Sequence, residues 1–342
     1  MKLGQATIKD IAKELNVSLS TISRALKNYP GISEETKKRV KETAERLNYR
    51  PNAVALSLRQ SKSFSIGVII PEVVHFFFST VISGIEEVAY ANGYNVILCQ
   101  TNEKYEREKS ILDTMLANQV DGLLVSFSKE TKDFDHFTKL IELELPIVFF
   151  DRIPAIDSSV HVTVNDFQGA YDAVTHLLQQ GYKKIAHISG PENLTITKQR
   201  KEGYLKAISD FDEAISYTKI LECPSGNEDE SFKLVNALFT NGEEKPDAIF
   251  AHHDLAAAGA LMALKSLGIK IPEEVGLVGY SNWQFSSMID PPLSTVSQPG
   301  ASIGETATKL LLDMINKNGN TETTAKSVML DTELIIRKSS SK

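Results

Sequence analysis

The chain has 342 residues and a mass of 37.8 kDa, more than one hydrophobic core usually holds, so at roughly 150 residues per domain it should divide into two or three. Apolar residues make up 42% and charged residues 24%, which excludes a largely disordered, collagen-like or coiled-coil chain. The net charge of −7 hides a division: residues 1–62 hold 13 Lys+Arg against 6 Asp+Glu, net +7, while the remaining 280 residues hold 24 basic and 38 acidic side chains, net −14.

A basic head on an acidic body suits a chain whose one end meets a polyanion. Thr7 precedes Ile8 to Leu15, in which Ile8, Ile11, Ala12 and Leu15 recur at helical spacing; Thr7 can cap the free amides and Asp10 is favourable in the first turn. Asn16-Val17 breaks the pattern, Ser18 can cap a second helix, and Ile22, Ala25 and Leu26 repeat the apolar spacing through Lys27. Val17 falls where the turn points inward, which leaves Leu19, Ser20, Thr21 and Arg24 on or near the exposed side. Ser33 opens a longer third helix with Glu34 and Glu35 in its first turn and Val40, Ala44 and Leu47 on one face, ending near Asn48-Tyr49. A second helix that presents its N-terminal residues is the geometry of helix-turn-helix proteins, in which side chains reach base edges in the major groove. Arg24 can fork onto guanine O6 and N7. A three-helix protein-interaction module would show the same apolar pattern.

After Lys62 short apolar runs alternate with segments of helical length, the βαβ signal of parallel sheets. SIGVII, YNVILC, DGLLVS and PIVFFD are the first runs, with helices predicted over 78–92, 103–118 and 132–143 and Gly93 as a C-terminal stop. A second set follows with VHVTV, KKIAHISG, YTKILEC, DAIFAH and VGLVGYS. Two similar halves in tandem predict two doubly wound lobes, with any ligand at the strand C-terminal ends where they face each other. The longest apolar run, Leu255 to Leu264, is far short of the roughly 18–20 residues that span a bilayer, and the start MKLGQATIKDIAKEL lacks the apolar stretch of a secretory signal. A cytoplasmic location without membrane contact is expected. Cys99 and Cys223 each end an apolar run, which predicts buried reduced thiols.

ATIKDIAKELNVSLSTISRALKN, followed by ISEETKKRVKETAERLNYRPNAVALSLR, resembles the head and hinge of the LacI/GalR family of bacterial transcription regulators, and the similarity extends over nearly the whole chain, including PPLSTVSQP at 291–299. The resemblance implies a small all-α helix-turn-helix head at 1–50, a hinge helix and linker at 51–63, and at 64–338 an α/β body of doubly wound parallel sheets, two-lobed like the periplasmic binding proteins. A short tail at 339–342 remains. The first lobe would take about 64–162 and 297–330 and the second about 164–294 and 331–338, with crossings near 162–164, 294–297 and 330–332. To the exposed readers the resemblance adds Thr7, Ser18, Asn28, Tyr49, Asn52 and Ala55 as DNA-contacting positions. It makes Leu58 the wedge that enters the minor groove when two hinge helices meet, where a few kcal/mol of unstacking are offset by the contacts the bend allows. Leu56 stands where many relatives carry a basic or amide residue.

For the body, Phe77 and Phe78 match the family's aromatic positions after the first strand, where a ring can stack on a sugar or base; burial at a helix start would also suit them. Asp151-Arg152 ends the fourth strand, where the two side chains can bind hydroxyls or pair with each other. Gly190-Pro191-Glu192, Arg200 and Gly203-Tyr204 resemble the family's GP…R…G pattern, which makes Arg200 a bidentate donor to a polar ligand. Asn165 and Asp254, the latter equally able to cap the next helix, complete the implied effector contacts together with Ser281. Ser281 stands where the family often has an Asp, so a carboxylate grip on a sugar hydroxyl is replaced by a weaker hydroxyl contact. Leu194 and Ile196 also replace polar contacts of some relatives. His252-His253, adjacent at a strand end, should point apart and no acidic or cysteine cluster joins them, so neither a metal site nor a cofactor is expected.

The expected function is therefore a dimeric DNA-binding regulator, usually a repressor in this family, controlled by a sugar or sugar derivative in the cleft and reading a pseudo-palindrome with one head per half-site. No heptad helix follows Arg337, which favours a dimer over a tetramer. A transport solute-binding protein fits the body but not the basic head. An enzyme is opposed by the lack of GxxxxGK[ST], of GxGxxG after a strand and of GxSxG.

Overall fold

The computed structural model describes residues 6–49, 62–211, 217–242, 244–316 and 327–342, and the chain divides into two units, Met1–Phe64 and Ser65–Lys342. In the first, α1 (Ile8–Leu15), α2 (Leu19–Leu26) and α3 (Glu34–Arg46) begin at their polar caps. The Asp10 carboxylate accepts from the backbone N and Oγ1 of Thr7, both at 2.7 Å, and the Oγ atoms of Ser18 and Ser33 accept from the amides of Thr21 and Thr36 at 3.1 and 3.3 Å. These bonds satisfy donors that a helix start leaves free. Asn16, left-handed at φ 52°, stops α1 and turns the chain into α2. Ile11, Ile22, Ala25, Val40 and Ala44 form a small core against which Val17, Leu47 and Tyr49 pack. The hinge positions Asn52, Ala55 and Leu58 lie outside the described residues.

In the second unit, β1 (Ser65–Ile70), α4 (Phe76–Ala91), β2 (Asn95–Gln100), α5 (Tyr105–Ala117), β3 (Gly122–Val125), α6 (Asp135–Glu142), β4 (Ile147–Phe150) and β5 (Val160–Val164) build the first lobe. The second takes α7 (Asp166–Gln179), β6 (Ile185–Ser189), α8 (Thr195–Phe211), β7 (Lys219–Glu222), α9 (Glu228–Thr240), β8 (Ala248–Ala251), α10 (Asp254–Ser266), β9 (Gly276–Tyr280) and β10 (Ser294–Ser297). Then α11 (Gly300–Asn316) returns to pack on α4, β3 and β4, and β11 (Val328–Leu330) and β12 (Glu333–Ile335) add one strand to each sheet. The sheets have matching orders, β11-β5-β4-β3-β1-β2 and β12-β10-β9-β8-β6-β7. All these pairings are parallel except that of β10 with β12, which is antiparallel. VHVTV, expected to start the second half, instead pairs with β4 and β11 in the first sheet; an apolar run does not reveal which sheet receives it.

Both faces of each sheet are covered, so central strands such as β1, β3, β4 and β8 are largely apolar and their alternation divides them between two cores. Val148 and Phe150 of β4 pack with Ile66 and Val68, whereas Ile147 and Phe149 pack with Leu123 and Phe137. Gly84 and Gly304 let α4 and α11 touch, since a Cβ on either would lie 2.0 or 2.1 Å from a carbonyl oxygen of the other helix. Cys223 is buried as expected, but Cys99, on the edge strand β2, is only half-buried; both are free thiols.

The last residues are not the tail that their serine-rich sequence suggests. Ser339 and Ser340 are fully buried. The Leu277 amide donates to Ser339 O at 2.8 Å, Ser294 N donates to Ser339 Oγ at 2.8 Å, and that hydroxyl donates to Leu277 O at 2.6 Å. Ser340 Oγ meets His176 Nε2 at 2.8 Å and Ser294 Oγ at 2.6 Å. Ser339 thus bonds to the β9 and β10 backbones and Ser340 to the side chains of His176 and Ser294, and hydrophobic periodicity carries no trace of such a role. Truncation after Lys338 should destabilise the body by about 2–4 kcal/mol, from several net hydrogen bonds at about 1 kcal/mol each; urea denaturation monitored by circular dichroism measures it.

Candidate functional site

Between the lobes lies a cavity of about 120 Å³, lined by the loops that follow the C-terminal ends of strands, from His75 after β1 to Gln298 after β10, and by the N-terminal turns of α4 and α8. Doubly wound sheets place ligands at such ends because the strand order reverses there and opens a crevice.

Its second-lobe floor is built on Arg200, which is 4% exposed. Arg200 Nε and Nη2 both reach Asp166 Oδ1 at 2.7 Å, Nη1 donates to His252 O at 2.6 Å, and the guanidinium carbon lies 3.7 Å from the Tyr280 ring centroid. Burial disfavours the cation, but the charge and hydrogen bond of Asp166, together with Tyr280 and Asp151, keep Arg200 above its ordinary pKa. Asp166 opens α7, His252 ends the β8 turn and Tyr280 ends β9, so one guanidinium fixes three elements.

The first-lobe wall repeats the device. Arg152 Nη1 and Nη2 donate to the two Glu103 oxygens at 2.9 and 2.8 Å, and Nη1 also donates to Phe127 O at 2.5 Å. Asp151, left-handed at φ 65°, has its Oδ2 3.8 Å from Arg152 Nε and 3.4 Å from Ser126 Oγ. Burial pushes its carboxyl up to about 6, with Arg152 opposing and Asp166 adding to the rise.

Aromatic groups close the ends. Phe77 and Phe78 border the cavity, yet both are buried, with ring centroids 5.2 Å apart and Phe78 edge-on to Phe150. His75 of the first lobe meets Trp283 of the second edge-on at 5.5 Å. The rings of His252 and His253 do not point apart as expected: their centroids are 4.0 Å apart, because His253 Nδ1 turns back to accept from the Ala256 amide and cap α10. That bond leaves the proton on Nε2, and burial holds His253 down to about 3, so both rings are neutral at physiological pH, His252 likewise being pushed well below its ordinary value by burial.

Of the residues expected at the effector, Phe77, Phe78, Asp151, Arg152, Arg200 and Ser281 line this cavity. Ser281 Oγ donates to Gln298 Oε1 at 2.9 Å. Asn165 and Asp254 do not line it. Asn165 caps α7 through Oδ1, which accepts from Gln168 N at 3.0 Å. Asp254 is fully buried and accepts from Trp283 N at 2.7 Å, Ser286 Oγ at 2.6 Å and Thr295 Oγ1 at 2.6 Å. Sequence order puts it after a strand but does not show that its carboxylate turns under the loop that carries Trp283. Glu103, Lys129, Trp283 and Gln298 also line the cavity and escaped the sequence reading. The lone tryptophan two residues after Ser281 was the one available signal.

On the head, Leu19, Ser20, Arg24 and Asn28 are exposed, with the Arg24 guanidinium carbon 5.6 Å from the Tyr29 ring centroid. Ser20 and Arg24 stand one turn apart on one helix face. Thr7 and Ser18 are committed to caps, Thr21 hydrogen-bonds Ser18, and Tyr49 packs on the head core. Among the described residues, no helix is long and apolar enough to cross a membrane.

Residues 7–52 match the family described as bacterial regulatory proteins, lacI family, and residues 63–337 match periplasmic binding proteins and sugar binding domain of LacI family. The chain is 34% identical over 312 residues to catabolite control protein A of Priestia megaterium, covering 91% of this chain and 93% of that protein. It is 35% identical over 339 residues to the HTH-type transcriptional repressor PurR of Actinobacillus pleuropneumoniae serotype 3, strain JL03, covering 98% of each. The crystal structure of the lac repressor dimer bound to operator and the anti-inducer ONPF shares the fold at 23% identity, with a TM-score of 0.86, 99% of this chain and 100% of that chain.

Because its carboxyl is raised in the folded state, Asp151 favours the fold below its unfolded value near 3.8 and loses that contribution as pH rises through about 6. His253 runs the other way, favouring the fold above about 6.5 and losing that contribution as pH falls towards about 3. Asp151→Asn should therefore escape a loss of about 3 kcal/mol that the parent suffers between pH 4 and 6. Denaturant unfolding of both proteins across that window isolates the difference, and parallel curves would place Asp151 in an ordinary environment.

Proposed function

The chain belongs to the LacI family of bacterial regulatory proteins, and from that premise we propose that it works as a homodimer on a pseudo-palindromic operator, under control of a polar small molecule bound between its lobes. The family's DNA-binding head and effector-binding body are both in the chain. The reading places the protein in the cytoplasm, bound to the nucleoid when on DNA, and gives it no catalytic role.

The observation that carries the reading is the cavity itself, where guanidinium groups and a carboxylate from two lobes converge beside aromatic edges. A sugar or sugar derivative offers the matching chemistry: hydroxyls for Asp151 and Arg200, and an apolar ring face for Trp283 or the Phe77 and Phe78 edges. The sugar-binding description of the matching family model favours the same class. A ligand held by Asp151 on one lobe and Arg200 on the other binds the closed arrangement better than the open one. Its effect on DNA affinity is bounded by that differential affinity. Lobe movement then alters whether two hinge segments pair on DNA.

On the head, Leu19, Ser20 and Arg24 read base edges, while Thr7 and Ser18, already spent on caps, place helix starts beside phosphates. The basic charge of residues 1–62 supplies the sequence-independent attraction.

Selection from randomised duplex DNA at a stated near-physiological salt should return an inverted repeat for the parent protein. Arg24→Ala should lose about 1–3 kcal/mol of affinity and relax one base pair in each half-site. An unchanged consensus would remove Arg24 from the readers, and no consensus, with or without cell extract as a ligand source, would sink the regulator reading. Leu58→Ala should weaken binding to the selected site in a gel-shift assay while leaving binding to random DNA largely intact; equal loss on both would argue against the wedge.

A further inference from the structure

The loops after β3 and β6 meet across the mouth of the cavity through the chain's own side chains. Leu194 belongs to the second lobe, yet it is 3% exposed and packs into the first-lobe core that holds Ile69, Val125 and Phe127. Beside it, Asn193 Nδ2 donates to Lys129 O at 2.8 Å. Lys129 Nζ reaches back to the carbonyls of Pro224 and Ser225 at 3.4 and 3.5 Å.

The receiving loop is stiff. Glu108, fully buried, accepts from Ser128 N at 2.6 Å, Thr131 Oγ1 at 2.8 Å and His136 Nε2 at 2.8 Å, while a Glu103 oxygen accepts from Lys129 N at 2.5 Å. Two carboxylates therefore fix the strap that Asn193 and Leu194 engage, and a contact onto a stiff loop loses little entropy when it forms.

We propose that Leu194, Asn193 and Lys129 form a latch that holds the lobes together by the chain's own contacts, with Leu194 as its apolar plug. Withdrawing a leucine side chain from a core into water shifts an equilibrium by about tenfold or more, so the latch sets how often the cleft opens. An effector must enter through that opening, and its apparent affinity scales with the balance of the two arrangements. This consequence rests on the cavity being the effector site; the latch itself does not.

Trp283 is the only tryptophan in the chain and lines the cavity, so its quenching by acrylamide reports opening in the full-length protein with no added ligand. Leu194→Ser should raise the quenching constant by about twofold or more. Circular dichroism checks that the variant is folded. Should it fail to fold, the double variant Asn193→Ala, Lys129→Met removes the polar half of the latch without touching the core and is read in the same way. A quenching constant equal to the parent's in a folded variant would overturn the latch. Quenching measured again with D-ribose or D-glucose as probe tests the effector reading separately, because loss of response to a sugar leaves the ligand-free comparison intact.

Discussion

Burying a guanidinium at the floor of a cleft is the constraint that orders the second lobe. An isolated buried cation is costly, and removing one partner from a buried ion pair typically costs about 3–5 kcal/mol. Arg200 therefore dictates the first residue of α7, Asp166, the direction of the His252 carbonyl and the ring of Tyr280 beneath it. Arg152 imposes the same terms on the first lobe through Glu103 and Phe127 O. Since the protein's own carboxylates neutralise both groups, a ligand meets fixed donors with little net charge behind them. On the proposed function, recognition there would depend on hydrogen-bond geometry more than on long-range attraction.

How much of this could be read beforehand follows from what each feature writes into the sequence. Parallel strands covered on both faces are near-continuous apolar runs, so SIGVII and VGLVGYS stand out within a residue or two of β1 and β9. Helix caps are equally local, and Thr7, Ser18 and Ser33 each open a helix. Non-local pairing is not written that way. β11, which flanks β5, lies more than 160 residues later, β12 docks antiparallel about 40 residues after β10, and the burial of Ser339 and Ser340 rests on polar contacts with no period.

The site divides along the same line. Phe77, Asp151, Arg200 and Ser281 were legible because a family motif or a strand end marked them. Glu103 and Lys129 were not, since a charged residue in a loop usually marks only solvent, and here their value comes from the buried Arg152 and from the facing lobe. Asp254 shows the converse error: an acid after a strand suggests a ligand contact, but Trp283 and Ser286 of the loop after β9 and Thr295 of β10 claim both its oxygens. Burial pushes that carboxyl up to about 6, so the donors hold the group against a substantial desolvation cost. Asp254 shapes the site by placing Trp283.

The matching sheet orders give the two lobes a common plan, in which β4 and β9 hold equivalent places. The chain leaves both strands in a left-handed turn, at Asp151 with φ 65° and at Ser281 with φ 97°. A non-glycine residue in such a conformation costs on the order of 1–3 kcal/mol, and glycine would meet the backbone requirement at lower strain. Both residues line the cavity. They are not interchangeable. Asp151 brings a carboxylate that only a donor can satisfy, whereas the Ser281 hydroxyl is already turned to Gln298 Oε1. On the proposed function, the first lobe would present an acceptor to ligand hydroxyls and the second would answer with Arg200 as a donor. On that proposal, a ligand that satisfies both would carry donors towards one lobe and acceptors towards the other, a polarity that would fix its orientation in the cleft before any contact with the aromatic edges is counted.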